Sequence, residues 1–341
     1  MPKKLLWLCL GTKILLWSPM ISAEEKTDIN QLTLQNDIYV VSKTQLPFTG
    51  IAVRIEEWGK VEISYQDGVP HGPKNVWLKN GLKRSAEIYQ KGKLETKTKW
   101  FHNGQKEAEQ HYSDGLPEGT QTYWYLNGNK ASEQMTKEGK LEGISVYWSE
   151  KGVKLAEEYY SKGLLQKRID WYESGQRFSV QNYRNGTLEG QNQFWYEEAT
   201  YKRLENYKNG KLDGEFLVFQ KNGSPVLLIT YKEGRPEGKF SAWYKNGQKL
   251  NEGYTKSNLK EGKYQEWYEL GQLRAEENYV QGMKEGQQTY WYESGKKSSI
   301  VYFKQDIAEG SWIFWDDTGK IVQKIIYEHG EEIERWDAKI K

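Results

Sequence analysis

The chain has 341 residues, of which 49 are basic and 47 acidic, and its mean hydropathy is −0.89. Because the two signs nearly cancel, the composition lacks the excess of Lys and Arg that neutralises phosphates, and it excludes a nucleic-acid partner. Its 14% aromatic content argues for a folded chain, since disordered segments are poor in rings. We therefore expect a folded protein whose thin aliphatic core is supplemented by aromatic side chains.

Residues 1–23 read as a secretory signal peptide. They carry three lysines and no acid, and a short apolar run ends at the small residues before Glu24. Cleavage is predicted between Ala23 and Glu24. An uncleaved membrane anchor is the alternative, but Lys13 and Pro19 interrupt the run well short of the roughly 20 apolar residues of a spanning helix.

Export has consequences for chemistry and location. The single cysteine, Cys9, lies within the predicted signal and would leave with it. The mature chain would then have neither disulfides nor thiolate-bound metals. We expect the protein to be exported to the periplasm or cell envelope.

A repeat of 23 or 24 residues runs through most of the chain. One column is a glycine that follows Tyr-x-x in most repeats, as at Gly92, Gly163 and Gly186. A second column is aromatic and consists of Trp77, Trp100, Trp124, Trp148, Trp171, Trp195, Phe219, Trp243, Trp267, Trp291 and Trp315. A second glycine follows almost every member of this aromatic column by four residues.

The residues between these columns predict β-hairpins. Segments such as 120–125 alternate two sets of side chains, and turn residues recur about every 12 positions. Asn-Gly pairs begin at positions 80, 103, 127, 185, 209, 222 and 246, and we expect type I′ turns there. The predicted fold is all-β, an elongated array of about 12 antiparallel hairpins.

One hairpin of 24 residues buries too little surface to fold alone, so neighbouring repeats must stack. We expect each column aromatic to pack on the equivalent ring 24 residues away, which makes the Trp column a structural core. The alternative is a row of rings that stacks sugars or surrounds a quaternary ammonium group. The Tyr column receives the same two interpretations and comprises Tyr65, Tyr89, Tyr112, Tyr160, Tyr183, Tyr207, Tyr231, Tyr279 and Tyr327.

Non-repetitive ends should cap this array. Residues 24–46 form the predicted N-terminal cap, in which 38–41 is a first strand covering the exposed sheet edge. Hairpin repeats occupy 47–330, and the polar segment 331–341 is the predicted C-terminal cap strand.

The repeat units, for example 183–196 (Tyr-Arg-Asn-Gly-Thr-Leu-Glu-Gly-Gln-Asn-Gln-Phe-Trp-Tyr), resemble the variant MORN repeat of bacterial proteins. The segment Pro47-Phe48-Thr49-Gly50 is similar to the first repeat of YwqK-type antitoxins of toxin–antitoxin systems. The resemblance covers about residues 47–341. It implies an extended, twisted β-meander without catalytic residues, of a type associated with protein and membrane-lipid contacts.

Catalytic and metal-binding patterns give no positive prediction. His71, His102, His111 and His329 do not recur with the repeat, and we interpret them as solvated turn residues. A second candidate is a ladder of acids that could bind calcium, comprising Glu118, Glu142, Glu189, Asp213, Glu237, Glu261, Glu285 and Glu309. Lysines in neighbouring turns favour a solubilising role instead. We predict no catalytic, cofactor or metal site.

These observations predict a non-enzymatic binding or scaffolding protein of the bacterial cell envelope that contacts a protein partner through its repeats. A YwqK-type antitoxin that neutralises a toxin is one alternative. A binder of carbohydrate or lipid headgroups is another.

Overall fold

The computed structural model describes residues 26–338. The predicted signal peptide, its Ala23–Glu24 cleavage site and residues 339–341 of the predicted C-terminal strand lie outside the described residues. The chain divides after Glu95 into two compact units, each of which is described by itself. Within residues 26–338 the regular structure is β-strand, apart from one 3-10 turn at Ile29–Gln31.

The first unit contains a sheet and a separate hairpin. Its strands are Lys26–Asp28, Leu32–Gln35, Ile38–Val41, Gly50–Glu56, Gly59–Gln66, Val69–Leu78 and Lys83–Gln90. The prediction that 38–41 covers the sheet edge is wrong, because this strand pairs with Leu32–Gln35 in a hairpin of its own. The strand that pairs with Gly50–Glu56 is Lys26–Asp28, in parallel. The hairpin instead supplies Leu32 to a small core with Phe48, Ala52 and Tyr65.

The strand Lys93–Trp100 contains the boundary, and the second unit continues as an antiparallel meander. Its first strands are Lys106–Ser113, Leu116–Pro117, Gly119–Trp124, Lys130–Lys137, Lys140–Trp148, Lys154–Ser161, Leu164–Trp171, Arg177–Arg184, Thr187–Leu188, Gly190–Trp195, Tyr201–Lys208, Lys211–Leu212 and Gly214–Phe219. The later strands are Pro225–Lys232, Arg235–Trp243, Lys249–Lys256, Leu259–Trp267, Leu273–Val280, Met283–Lys284, Gly286–Trp291, Lys297–Lys304, Ile307–Ala308, Gly310–Trp315, Ile321–Glu328 and Glu331–Asp337. The predicted hairpin array is confirmed.

Two kinds of turn alternate along the second unit. In the tight turns both central residues have positive φ, as at Asn185 (51°) and Gly186 (78°), so the type I′ prediction is confirmed for the Asn-Gly pairs at 185 and 209. At the other five Asn-Gly pairs the prediction is wrong. There the glycine alone has positive φ, and it ends a longer loop in which, for example, the Gly128 N–H donates to the Tyr125 carbonyl at 2.9 Å.

The aromatic column stands just beyond a β-bulge. Tyr123 pairs with Ser132, but the next residue, Trp124, pairs with Lys130, so one residue of the partner strand is left over. The same shift recurs before Trp148, Trp171 and the later members of the column. A bulge increases the local twist of the strands, and here it recurs once per repeat.

Much of the core of the second unit lies on one face of its sheet. Cross-strand pairs place Tyr123, Ser132, Tyr147 and Ala156 in one row, where small side chains on one strand alternate with rings on the next. Buried residues of this face include Ala108, Ser132, Ala156, Ser179, Phe194, Tyr264, Ala275, Val301 and Ile325.

The Trp column does not form a ring stack. Trp195 is buried and the remaining members are half-buried. Among the described residues, Trp124, Trp148 and Trp171 make no ring contact with the next Trp of the column. A repeat contributes two strands, so equivalent rings stand about 9.5 Å apart. The strand between them brings in a cation at several members of the column, and between Trp195 and Phe219 it brings in the ring of Tyr201. Lys154 Nζ lies 4.1 Å from the centroid of Trp171.

Hydrogen bonds between repeats replace the expected ring stack. Seven of the acids considered as calcium ligands accept a hydrogen bond from the backbone N–H of the next tight turn, 20 residues on. These acids are Glu118, Glu142, Glu189, Asp213, Glu261, Glu285 and Glu309. We call this set the acid ladder; each member caps a turn of the next repeat by accepting one of its backbone N–H groups.

A second set, the tyrosine ladder, links the longer loops. Six of the column aromatics are followed by a tyrosine, whose hydroxyl donates to the carbonyl of the column residue 23 positions later, at 2.7–3.0 Å. Its members are Tyr125, Tyr172, Tyr196, Tyr244, Tyr268 and Tyr292. Turn glycines add a backbone link, since the Gly163 N–H donates to the Leu141 carbonyl at 2.8 Å and the equivalent bond recurs along the unit.

Candidate functional site

Four glutamates are buried, one in the first unit and three in the core face of the second, and each is followed two residues later by a tyrosine that donates to it. The pairs are Glu87 with Tyr89 (2.8 Å), Glu158 with Tyr160 (2.7 Å), Glu205 with Tyr207 (3.1 Å) and Glu277 with Tyr279 (2.7 Å). These glutamates are 5–9% exposed. Sequence reasoning missed them, although the recurring Glu-x-Tyr pattern within the Tyr column could have signalled them.

A basic side chain compensates each of these carboxylates. Lys74, Arg168, Arg203 and Lys284 lie 2.6–2.9 Å from Glu87, Glu158, Glu205 and Glu277, respectively. Burial works against an ionised Glu277, yet its bonds from Lys284, Tyr290 and Tyr279 hold its pKa below the usual range. Such buried pairs stabilise a fold only when geometry and hydrogen bonding are good.

The pKa values of the paired tyrosines shift in the opposite direction, upwards. Burial, then the charge and hydrogen bond of Glu205, raise the pKa of Tyr207 to about 12. Burial and the hydrogen bond to a glutamate likewise raise the pKa values of Tyr160 and Tyr279. These hydroxyls therefore remain protonated donors at neutral pH.

One of the four clusters opens into a groove of about 880 Å³ on the same sheet face, within the second unit. Its walls combine aromatic rings with planar polar groups. The lining residues are Tyr147, Leu155, Ala156, Glu158, Arg168, Asp170, Trp171, Phe178, Gln181 and Tyr183. We call it the Arg168 groove. A concave site with a few placed polar groups is the usual setting of ligand binding.

An ion triad forms the floor of the Arg168 groove. Arg168 Nη1 donates to Glu158 Oε1 at 2.6 Å, and its Nε donates to Asp170 Oδ1 at 2.8 Å. The Ser179 hydroxyl donates to the second oxygen of Asp170 at 2.6 Å, and Tyr147 donates to Glu158 at 2.9 Å. Burial disfavours the charge of Arg168, but the two carboxylates raise its pKa, so the cation is fixed in place.

The triad occurs at a repeat position that is filled by several residue types. Arg168 belongs to a column three residues before the column aromatic, which we call the central column. Its members in the second unit are Gln121, Ser145, Arg168, Asn192, Phe216, Phe240, Tyr264, Gln288 and Trp312. Gln121, Asn192 and Gln288 accept a backbone N–H through their side-chain carbonyl oxygens, whereas Phe240 and Tyr264 stack at 5.6 Å across Gly253.

The sequence-predicted residues are brought together only in part. Of the predicted Trp column, Trp171 lines the Arg168 groove and Trp315 lines a hollow of about 440 Å³. The other predicted members each end a strand outside these two hollows; they are Trp100, Trp124, Trp148, Trp195, Trp243, Trp267 and Trp291. Across the described residues, no three His, Cys, Asp or Glu side chains are grouped so as to hold a metal ion. Nor does any helix in residues 26–338 have the length and apolarity to cross a membrane.

Comparison with known proteins supports the repeat type. The family described as MORN repeat variant matches at residues 117–138, 260–281, 284–305 and 308–329. No curated protein matches the sequence at a significant level.

Two solved structures align with most of the chain. They are "Crystal Structure of TcdB2-TccC3-Cdc42" (9% identity, TM-score 0.17, 81% of this chain and 20% of that one) and "Crystal Structure of TcdB2-TccC3" (10%, 0.16, 86% and 21%). The chain thus spans about a fifth of their length. TM-scores this low do not indicate a shared overall fold. The four matches support a MORN-type repeat in those segments, and repeats of this type suggest binding or scaffolding.

Proposed function

We propose that the protein is a non-enzymatic binding protein of the bacterial cell envelope, whose repeats present a regularly spaced surface to a protein partner. The observation that carries this proposal is the pair of ladders. They use carboxylates and tyrosine hydroxyls to fix most repeats against the next at a nearly constant interval. A surface ordered before binding loses less conformational entropy when a partner docks.

The ionisation of the buried clusters favours binding over catalysis. A general acid or base works best with a pKa near the operating pH. The pKa of Glu277 is instead held low and that of Tyr207 is raised to about 12, so each keeps one protonation state at neutral pH. These groups act as fixed charges and fixed donors.

Location in the envelope is supported by the lysine-flanked apolar N-terminus. N-terminal sequencing of protein recovered from the envelope fraction of native cells should begin at Glu24. Intact Met1 in a cytoplasmic fraction would contradict export and would favour the antitoxin alternative.

The partner can be found by affinity capture of the full-length protein from native cells after brief crosslinking, followed by mass spectrometry. The proposal predicts that envelope proteins are enriched over a control capture with an unrelated exported protein. Stoichiometric recovery of one small toxin would overturn it in favour of the antitoxin.

A further inference from the structure

We propose that the Arg168 groove is a glycan-binding site, which takes a short neutral oligosaccharide between its rings and its ion triad. This inference deepens the proposed function and rests on it for the presence of glycans in the same compartment. Four features of the groove support it: the rings, the planar polar groups, the balance of charge and the place of the triad in the repeat.

The groove offers a partner for each of the two kinds of surface that a sugar presents. A pyranose has an apolar C–H face, which packs on aromatic rings, and a rim of hydroxyls, which needs paired donors and acceptors. Tyr147, Phe178 and Tyr183 supply rings. Phe178 is held edge-on by Tyr172 at 5.1 Å, so its orientation is fixed before a ligand arrives.

The polar groups of the triad are held in place, yet they keep hydrogen-bond donors and acceptors available for a ligand. Arg168 is 40% exposed, and a guanidinium carries five N–H donors, only some of which contact Glu158 and Asp170. Each carboxylate oxygen accepts more than one hydrogen bond. A planar donor beside a planar acceptor suits two adjacent hydroxyls of one ring.

The charges around the groove disfavour an ionic ligand. Glu158 and Asp170 would repel an anion, while Arg168 would repel a cation. Lys154 Nζ already lies over the Trp171 ring, where a ligand ammonium would otherwise bind. A neutral ligand avoids these repulsions, and an uncharged ring of hydroxyls can use both signs.

The ion triad is confined to one repeat of the second unit. The central-column position of Arg168 is filled by Ser145 and Asn192 in the adjacent repeats and by Phe216 farther on. The Arg168 repeat also differs in length, because Trp148 and Trp171 are 23 residues apart and Gln166 stands where the adjacent repeats have glycine. The triad is therefore a feature of one altered repeat, and it distinguishes this groove from the rest of the sheet face.

The test is isothermal titration calorimetry on the full-length protein with three neutral trisaccharides, namely maltotriose, cellotriose and N,N′,N″-triacetylchitotriose. Inorganic phosphate and spermidine serve as charged comparators. We expect at least one trisaccharide to bind with Kd of about 1 mM or tighter, and neither comparator to compete with it. Failure of all three trisaccharides to bind, or displacement by phosphate or spermidine, would overturn the inference.

Two isosteric variants locate the binding. Asp170→Asn should weaken it about tenfold by removing one charged acceptor. Glu266→Gln is the matched control, because Glu266 holds the same row position four repeats later, outside the groove. Melting curves of both variants check folding. A third variant, Tyr183→Phe, removes only a hydroxyl and should weaken binding less than Asp170→Asn. Equal weakening by Asp170→Asn and Glu266→Gln would place the binding elsewhere and contradict the inference.

The outcomes separate this inference from the proposed function. Glycan binding by a protein that proves cytoplasmic would overturn the envelope role alone. Capture of envelope proteins by a chain that ignores all three sugars would overturn the glycan site alone.

Discussion

Ala199 occupies a position that is glycine in the equivalent loops of the second unit. Its φ is 62°, in the left-handed region that side chains with a Cβ adopt at a cost of about 1–2 kcal/mol. The loop nevertheless keeps its shape, since the Ala199 N–H donates to the Tyr196 carbonyl at 3.0 Å as its glycine counterparts do. Local strain is thus carried by one residue while the repeat remains intact.

Ala199→Gly should stabilise the protein by about 1 kcal/mol, because glycine adopts this φ without the Cβ clash. The matched variant is Gly223→Ala, one repeat later, where φ is 85° and a Cβ would meet no atom within 4 Å. It should destabilise the protein by a similar amount, from backbone conformation alone. Urea unfolding measures both, and changes of the same sign in the two variants would refute this explanation.

The buried tyrosines predict a loss of stability in alkali. The pKa of Tyr207 is raised from 10.0 to about 12 on folding, so its contribution is fully present below pH 10 and is lost as pH rises towards 12. In Tyr207→Phe the free energy of unfolding should therefore fall less steeply over this window. Urea unfolding in small pH steps measures the slope, and identical slopes in the two proteins would contradict the assignment.

At the scale of the hairpin, the sequence predicted the strands better than the contacts between them. Asn127-Gly128 and Asn185-Gly186 are the same dipeptide, yet only the second forms a type I′ turn. The difference lies in how far the flanking strands continue, which a dipeptide does not encode. Likewise, the period of 24 residues indicated stacking, but two strand spacings put equivalent Trp rings too far apart to touch.

The Arg168 groove escaped prediction for a related reason. Arg168 and Asp170 look like ordinary alternating charges in the sequence. Their role depends on the cross-strand neighbours Glu158 and Ser179, which only the register brings beside them. Trp171 was predicted as a column member, but its place in the groove wall depends on the bulge that precedes it.

The acid ladder makes a prediction for single hairpins. Glu261→Ala should lower the free energy of unfolding by about 1 kcal/mol, because the Gln281 N–H loses the carboxylate that accepts it at 2.8 Å. Hydrogen exchange of the Gln281 amide should accelerate before that of strand amides. Glu293→Ala, at an exposed loop residue outside the ladder, is the control. Unchanged exchange at Gln281 would show that the ladder does not hold the turn.

At the scale of the second unit, stability is expected to follow nearest-neighbour rules. Most repeats are bonded to the next by a turn-glycine link together with an acid-ladder link, a tyrosine-ladder link or both. Most of its core contacts involve adjacent strands. Such a chain tolerates the loss of a whole repeat better than the loss of half of one.

Deletion of residues 211–234, one repeat in register, tests this account most directly. It joins the tight turn at Gly210 to the return strand Arg235–Trp243, and every remaining side chain keeps its face. Deletion of 211–222 is the control, because it puts Ile229 where Leu217 stood, and these two residues lie on opposite faces. Near-ultraviolet circular dichroism with urea unfolding should show a cooperative, native-like protein for the 24-residue deletion and lost packing for the 12-residue one. Equal loss of cooperative unfolding in both would contradict a modular array.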